Sequence, residues 1–297
     1  MELRQLRYFV AVAEREHVSE AAFELHVAQS AVSRQISNLE SELGVQLFER
    51  AGRNVHLTPI GNIFLTHIKS ALKGVDYAKK QVDEYLDPER GSIKIGFPTS
   101  LAGNLLPTVL SAFKRSYPNI RFQLRQGSYN FLIEAVRNRE IDLAFLGPVP
   151  DNQPDIIGKV LFMENFYALI PSSNAISTKE IISIADLEHE NFVLFPEGYV
   201  LHQLVIDACI RSGFTPNIQS QGEDLDAIKG LVAAGMGITL LPESAFNDLN
   251  TAYSAKVAID NPPIQRTVGI IIPKNRNLAP SQKVFYHFIQ DYFEIGD

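Results

Sequence analysis

Gln29, Ser30, Ser33, Arg34 and Ser37 are separated by one, three, one and three residues, so at 3.6 residues per turn they share one face of a helix. Their chemistry suits the edges of DNA bases. A glutamine amide bonds adenine through two atoms, an arginine fork does the same with guanine, and serine serves base or phosphate. The other reading of these residues is an ordinary solvated face, which would usually carry more Lys and Glu. A second group lies further on. Thr99, Ser100, Gly127, Ser128 and Gly147 each follow a short apolar run, namely Ile93–Phe97, Ile120–Leu124 and Ile141–Leu146. Ligands of open α/β sheets sit beyond the carboxyl ends of strands, and helix N-termini there favour anions. Taken singly, Thr99, Ser100 and Ser128 read as helix caps. Several hydroxyl-bearing strand ends together point to a cleft for a small carboxylate.

The first group needs a scaffold, and the surrounding residues describe one. Leu6, Phe9, Val10 and Ala13 form the apolar face of a first helix. Ser19 is the expected N-cap of a short second helix carrying Ala21, Ala22 and Leu25. His26-Val27-Ala28 is a tight connection, and Gln29 opens a third helix with an apolar seam at Val32, Ile36, Leu39 and Leu43. This is a helix-turn-helix pattern, in which the N-terminal part of the last helix enters the major groove. Beyond Gly44, Leu47–Arg50 and Val55–Thr58 flank a turn and predict a hairpin wing. Arg50 and Arg53 would then meet phosphates or the minor groove.

Thr58-Pro59 reads as an N-cap followed by proline at the first helical position. The helix it opens runs to about Asp87, ahead of Pro88. Phe64, Ile68, Ala71, Val75, Ala78, Val82 and Tyr85 alternate spacings of four and three, a coiled-coil seam that predicts pairing with a second copy. A long helix packed on its own domain is the alternative. Pairing would let two short reading helices address an inverted repeat.

From Ser92 onward apolar strands alternate with amphipathic helices, which predicts an α/β domain with a largely parallel sheet. A second lobe begins near Leu161, and Arg266–Ile272 returns the chain to the first, leaving a cleft between lobes.

Composition excludes several classes. The 297 residues carry a net charge of −7, so no bulk basic character attracts nucleic acid. Cys209 is the single cysteine, which excludes an intrachain disulfide and a multi-cysteine zinc site. It sits in an apolar stretch and reads as core. No apolar run is long enough for a membrane span, and no secretion signal is read at the start, so a cytoplasmic protein is expected. Phosphate-loop, dinucleotide, zinc-protease and nucleophile-elbow motifs are missing, so neither enzyme, metal site nor cofactor is expected. A cytoplasmic metabolite-binding protein without a DNA role is the second function class.

Ala21-Ala22, Gln29–Ile36, Leu39-Glu40, Leu43-Gly44, Leu47–Arg50 and Leu57–Gly61 together resemble the LysR-type bacterial transcriptional regulators. Ala28 departs from the pattern, since many members place a capping Ser or Thr there. Leu231–Pro242 and Ile141–Ala144 are similar to the effector domain of the same family. The resemblance implies a winged helix-turn-helix over 1–58, a linker helix over 59–90 and a two-lobed, periplasmic-binding-protein-like effector domain over 91–297. Lobe I would comprise 91–161 and 267–297, and lobe II 162–266. It also places Glu197 and Tyr199, in the Glu197–Leu201 loop, along the effector cleft. It implies homodimers or homotetramers, promoter DNA and RNA polymerase as partners, and activation of transcription, although the residues themselves leave activation against repression open. More narrowly, Phe97–Leu101, Arg125–Ser128 and Phe195–Gly198 resemble the glutamate synthase operon regulators of bacilli. That implies a role in nitrogen metabolism and an effector such as 2-oxoglutarate or glutamate.

Overall fold

The computed structural model describes the chain except residues 52–53, 87–90, 104, 248–251, 261 and 295–297, and except the side chains of 50–51, 80–81 and 83–84. It divides into two compact units, Met1–Asp83 and Glu84–Asp297.

The first unit contains α1 (Leu3–Arg15), α2 (Val18–Glu24), α3 (Gln29–Leu43), the hairpin β1 (Phe48–Ala51) and β2 (Asn54–Leu57), and α4 (Pro59–Leu86). Its core joins Leu6, Phe9 and Val12 of α1 to Ala21 and Ala22 of α2 and to Val32, Ile36 and Leu39 of α3. Alanine on α2 lets three short helices approach closely around Phe9. Two expectations are corrected here. The N-cap of α2 is His17, whose ring accepts from the Glu20 amide, and Ser19 lies inside the helix. Leu43 is exposed, because Gly44 (φ 71°) ends α3 in the left-handed conformation and turns the chain away from the core. Glu40 fixes the next turn, its carboxylate accepting from the Leu47 and Phe48 amides at 2.8 and 3.1 Å.

The Thr58 hydroxyl accepts from the Gly61 amide and donates to Gln46 O, so it caps α4 and ties the helix to the wing. A side chain at Gly61 would meet Leu47 O at 2.2 Å, so only glycine fits there. At 28 residues α4 is about 42 Å long. Its first half is shared with the helix-turn-helix. Ile68 and Leu72 are buried in that core, Phe64 packs edge-on against Phe9, and Arg7–Asp76 and Glu14–Lys69 ion pairs hold α1 beside it. Of the expected seam, Phe64 and Ile68 are therefore engaged within their own protomer. Ala71, Ala78 and Val82 are exposed, with Tyr85, and Val75 is half-buried.

The second unit has two lobes. The first holds β3 (Ser92–Phe97), the short α5 (Thr99–Ala102), α6 (Leu105–Ser116), β4 (Arg121–Gln126), α7 (Tyr129–Arg137) and β5 (Leu143–Leu146). A 16-residue strand, β6 (Ile156–Pro171), then runs through both lobes. The second lobe adds β7 (Ile181–Ile182), β8 (Asn191–Leu194), α8 (Val200–Arg211), β9 (Asn217–Gln221), α9 (Leu225–Ala233), β10 (Thr239–Pro242) and β11 (Ser254–Ile259). Finally β12 (Gln265–Pro273) returns beside β6, and α10 (Pro280–Tyr292) closes the first lobe.

The sheet is mixed rather than largely parallel. β4, β3 and β5 are parallel neighbours, and so are β8 and β9, but β12 is antiparallel to both β5 and β6, and β10 and β11 are antiparallel to β6. The two long connecting strands impose this, since one leaves the first lobe and the other re-enters it. Separate cores lie on either side of the crossing, one with Phe113, Phe145 and Phe285, the other with Phe166, Phe192 and Ile238. Cys209 is wholly buried in the second, where burial pushes its thiol up to about 12, so it is inert packing at neutral pH. Among the described residues no helix is long and apolar enough to cross a membrane.

Candidate nucleic-acid interface and effector cavity

The outer face of α3 divides between two grooves. Gln29, Ser33 and Ser37 line one, with Ser19 of α2 and with Gln46 and Asn54 at the wing. Ser30 and Arg34 line the other, with Arg4 and Tyr8 of α1 and Gln35 and Asn38 of α3. The ridge between them carries short donors and acceptors at the helix start, flanked on both sides by polar walls. Ala28, the N-cap, offers no side-chain oxygen, so the first amides of α3 lack a side-chain acceptor. Such a helix start suits a phosphate, whose charge the helix dipole stabilises. Arg34 is exposed, and it makes no hydrogen bond or ion pair with any described residue. Arg50 and Arg53 lie outside the described side chains. Arg4, Tyr8, Gln35 and Asn38 escaped the sequence reading, although Gln35 and Asn38 follow Arg34 by one and four residues and Arg4 is one turn ahead of Tyr8.

In the second unit the strand ends converge as expected. A cavity of about 360 Å³ between the lobes is lined by Thr99, Ser100, Gly127, Ser128 and Gly147 from one side, and by Phe195, Gly198 and Tyr199 from the other. Glu197 is exposed and does not line it, because α8 begins at Val200 and the preceding turn carries Glu197 outward. The acidic residues in the wall are Glu223 and Asp224 instead. The hydroxyls have distinct duties. Ser128 caps α7, accepting from the Phe131 amide. Thr99 accepts from the Gln126 amide at 2.7 Å, and Ser100 is buried in α5. The Tyr199 ring stacks on Phe195 at 5.4 Å, and Phe195 O in turn accepts from the His202 Nδ1–H at 2.7 Å. Burial, with the charge of Asp151 second, pushes the Tyr129 phenol up, so it stands in the wall as a neutral donor.

The floor is Arg266, which is 2% exposed. It stands directly opposite Glu164 where β6 and β12 cross between lobes. Its Nε donates to Glu164 Oε2 at 2.8 Å, with Nη2 2.7 Å from the same oxygen. Nη1 donates to Ser100 Oγ at 3.2 Å and Gly147 O at 3.3 Å. A Cβ at Gly147 would stand 3.1 Å from the guanidinium, so glycine permits this approach. Burial pulls the Arg266 pKa down and Glu164 pushes it back up; the side chain remains a cation. Glu164 also accepts from the Ser244 amide at 2.8 Å, and the Ser244 hydroxyl donates to Ser100 O at 2.9 Å. The buried pair is thereby bonded to both lobes. Arg266 carried no sequence signal beyond heading an apolar strand.

Residues 3–62 match the family described as bacterial regulatory helix-turn-helix protein, lysR family, and residues 86–294 match the LysR substrate binding domain. The chain belongs to the LysR family of transcriptional regulators. It is 63% identical over 293 residues to the transcriptional dual regulator GltC of Bacillus subtilis, covering 99% of this chain and 98% of that protein. It is 33% identical to YybE of the same organism, with 99% of each chain covered. Among solved structures, full-length CbnR complexed with target DNA superimposes with a TM-score of 0.78 at 26% identity, covering 98% of this chain and 99% of that one. Full-length OxyR from Pseudomonas aeruginosa gives 0.72 at 25% identity, covering 99% of this chain and 95% of that one. As a LysR regulator the chain is a DNA-binding transcription factor with an effector-binding domain, not an enzyme. The mixed sheet and crossing strands of the second unit are the two-lobed effector fold expected from the resemblance.

Proposed function

We propose that this regulator binds an inverted-repeat promoter site as a dimer or tetramer in the cytoplasm, and that a small carboxylate in the interlobe cavity sets its action on RNA polymerase. Gln29, Ser33 and Arg34 read bases, while Ser30, Arg50 and Arg53 hold the backbone or minor groove. The observation that carries the effector reading is the buried Arg266 guanidinium in the cavity, surrounded by Thr99, Ser100 and the α7 start. Those groups complement a carboxylate and leave no comparable site for a cationic ligand beside them. The kinship with GltC and the likeness to glutamate synthase operon regulators support control of nitrogen metabolism genes, with 2-oxoglutarate or glutamate as effector.

Two measurements test this. In a thermal-shift panel of central metabolites, a small dicarboxylate raises the melting temperature of the full-length protein; at one hundred times its dissociation constant the stabilisation is about 2.7 kcal/mol. A panel in which no carboxylate shifts the transition removes the effector reading. Footprinting on the promoter of its own gene then shows a protected inverted repeat whose pattern changes with that ligand.

Pairing is tested on α4. Val82 is exposed at 61% in the protomer and sits late in the seam, so Val82→Glu leaves the monomer's core intact. The expected result by sedimentation is at least about a tenfold weaker dimer, ~1.4 kcal/mol, with a parallel loss of operator affinity. An unchanged dimer would remove this seam as the pairing surface.

A further inference from the structure

We propose that Glu223 makes the interlobe cavity selective for an α-amino acid bearing a second carboxylate over the corresponding 2-oxo acid, a proposal that rests on the carboxylate reading above. The cavity is electrostatically two-sided. On its floor Arg266 supplies the cation, and Thr99, Ser100, Ser128 and Tyr129 supply neutral donors. On the opposite wall stand two consecutive carboxylates at the start of α9, and they are not equivalent. Asp224 Oδ1 accepts from the Ala227 amide at 2.7 Å, so it serves as the helix cap and its charge meets the positive helix end. Glu223 is exposed, and it makes no hydrogen bond or ion pair with any described residue. It is therefore the unpaired charge in the cavity wall.

A ligand whose carboxylate sits on Arg266 brings negative charge into a small space already holding that unpaired carboxylate, and like charges at such range repel. An α-ammonium group reverses the sign of the contact. It donates charge-assisted hydrogen bonds to Glu223, which a 2-oxo group, an acceptor only, cannot do. One residue thus favours the amino acid and disfavours the oxo acid at once, and selectivity from an attraction and a repulsion together exceeds that from either alone.

L-Glutamate and 2-oxoglutarate share a five-carbon dicarboxylate skeleton and differ only at this carbon, so they form a matched pair of probes. Both are titrated calorimetrically into the full-length protein and its Glu223→Gln variant. Glu223 is exposed and caps nothing, so the ligand-free melting temperature should not move. The expected result has opposite signs. Glutamate binds the variant about tenfold more weakly, a loss of ~1.4 kcal/mol, while 2-oxoglutarate binds it as tightly or more tightly than it binds the parent. A role confined to the shape of the wall would move both ligands the same way. Equal shifts for both, or no shift for either, overturn the proposal while leaving the carboxylate site standing, as does a parent protein that binds 2-oxoglutarate and not glutamate. A parent protein that binds neither ligand overturns the carboxylate reading, and this proposal with it.

Discussion

Arg34→Ala abolishes the operator footprint while the far-UV circular dichroism spectrum stays native. The exposed position of Arg34 and its lack of partners among the described residues mean that the fold loses little by truncation. An arginine fork on guanine discriminates by about 1–3 kcal/mol. In a two-fold dimer the contact occurs in each half-site, so the loss doubles to roughly 2–6 kcal/mol, or about thirtyfold to ten-thousandfold in affinity. Arg34→Lys separates charge from geometry. Lysine keeps a phosphate-compatible point charge but not the two-pronged bond, so its binding should be intermediate and less selective between operator and random DNA. Unchanged affinity of the alanine variant, measured by fluorescence anisotropy at matched salt, would remove Arg34 from the reading face.

Glu164→Gln should be the most destabilising single change in the second unit. Glu164 is the counter-charge for a guanidinium that is 2% exposed, and it also holds the Ser244 amide. Removing one partner of a buried ion pair costs about 3–5 kcal/mol, because the remaining charge is left without solvent or counter-ion. For a unit of this size each kcal/mol lowers the melting temperature by about 2–4 °C, so the drop should be roughly 6–20 °C by calorimetry. The pairing makes a second expectation. Glu164→Gln combined with Arg266→Met removes both charges and should recover much of the stability while eliminating carboxylate binding. A melting temperature within about 2 °C of the parent in the single variant would show that the pair does not anchor the crossing. Ser100, Gly147 and Ser244 all take their bonds from this pair, so its loss should be felt on both sides of the cavity.

The reading face and the pairing seam show how far local pattern carries. Gln29, Ser33 and Arg34 were legible because a helix places near neighbours in sequence on one surface, and Val32, Ile36 and Leu39 mark the opposite one. The seam of α4 was legible in period but not in use. Phe64 and Ile68 keep the same spacing as Val75 and Val82, yet they fill the core beneath α1. Periodicity names a face and is silent about what covers it. Similarly, Ser19 and Glu197 were drawn toward roles by their types. Backbone direction gave the cap to His17 and placed Glu197 outside the cavity.

By itself, the sequence determined the class of regulator, the three short helices with their wing, the long helix after Pro59 and the strand ends that form one side of the cavity. Each depends on residues close in the chain, where spacing and backbone preference suffice. Only the tertiary structure decided that Arg266 meets Glu164, 102 positions away, and that Glu223 rather than Glu197 faces the ligand space. Those pairings follow from the register of β6 against β12 and from where the second lobe folds back over the first. The free energy of burying both cores sets that register, and no local motif records it.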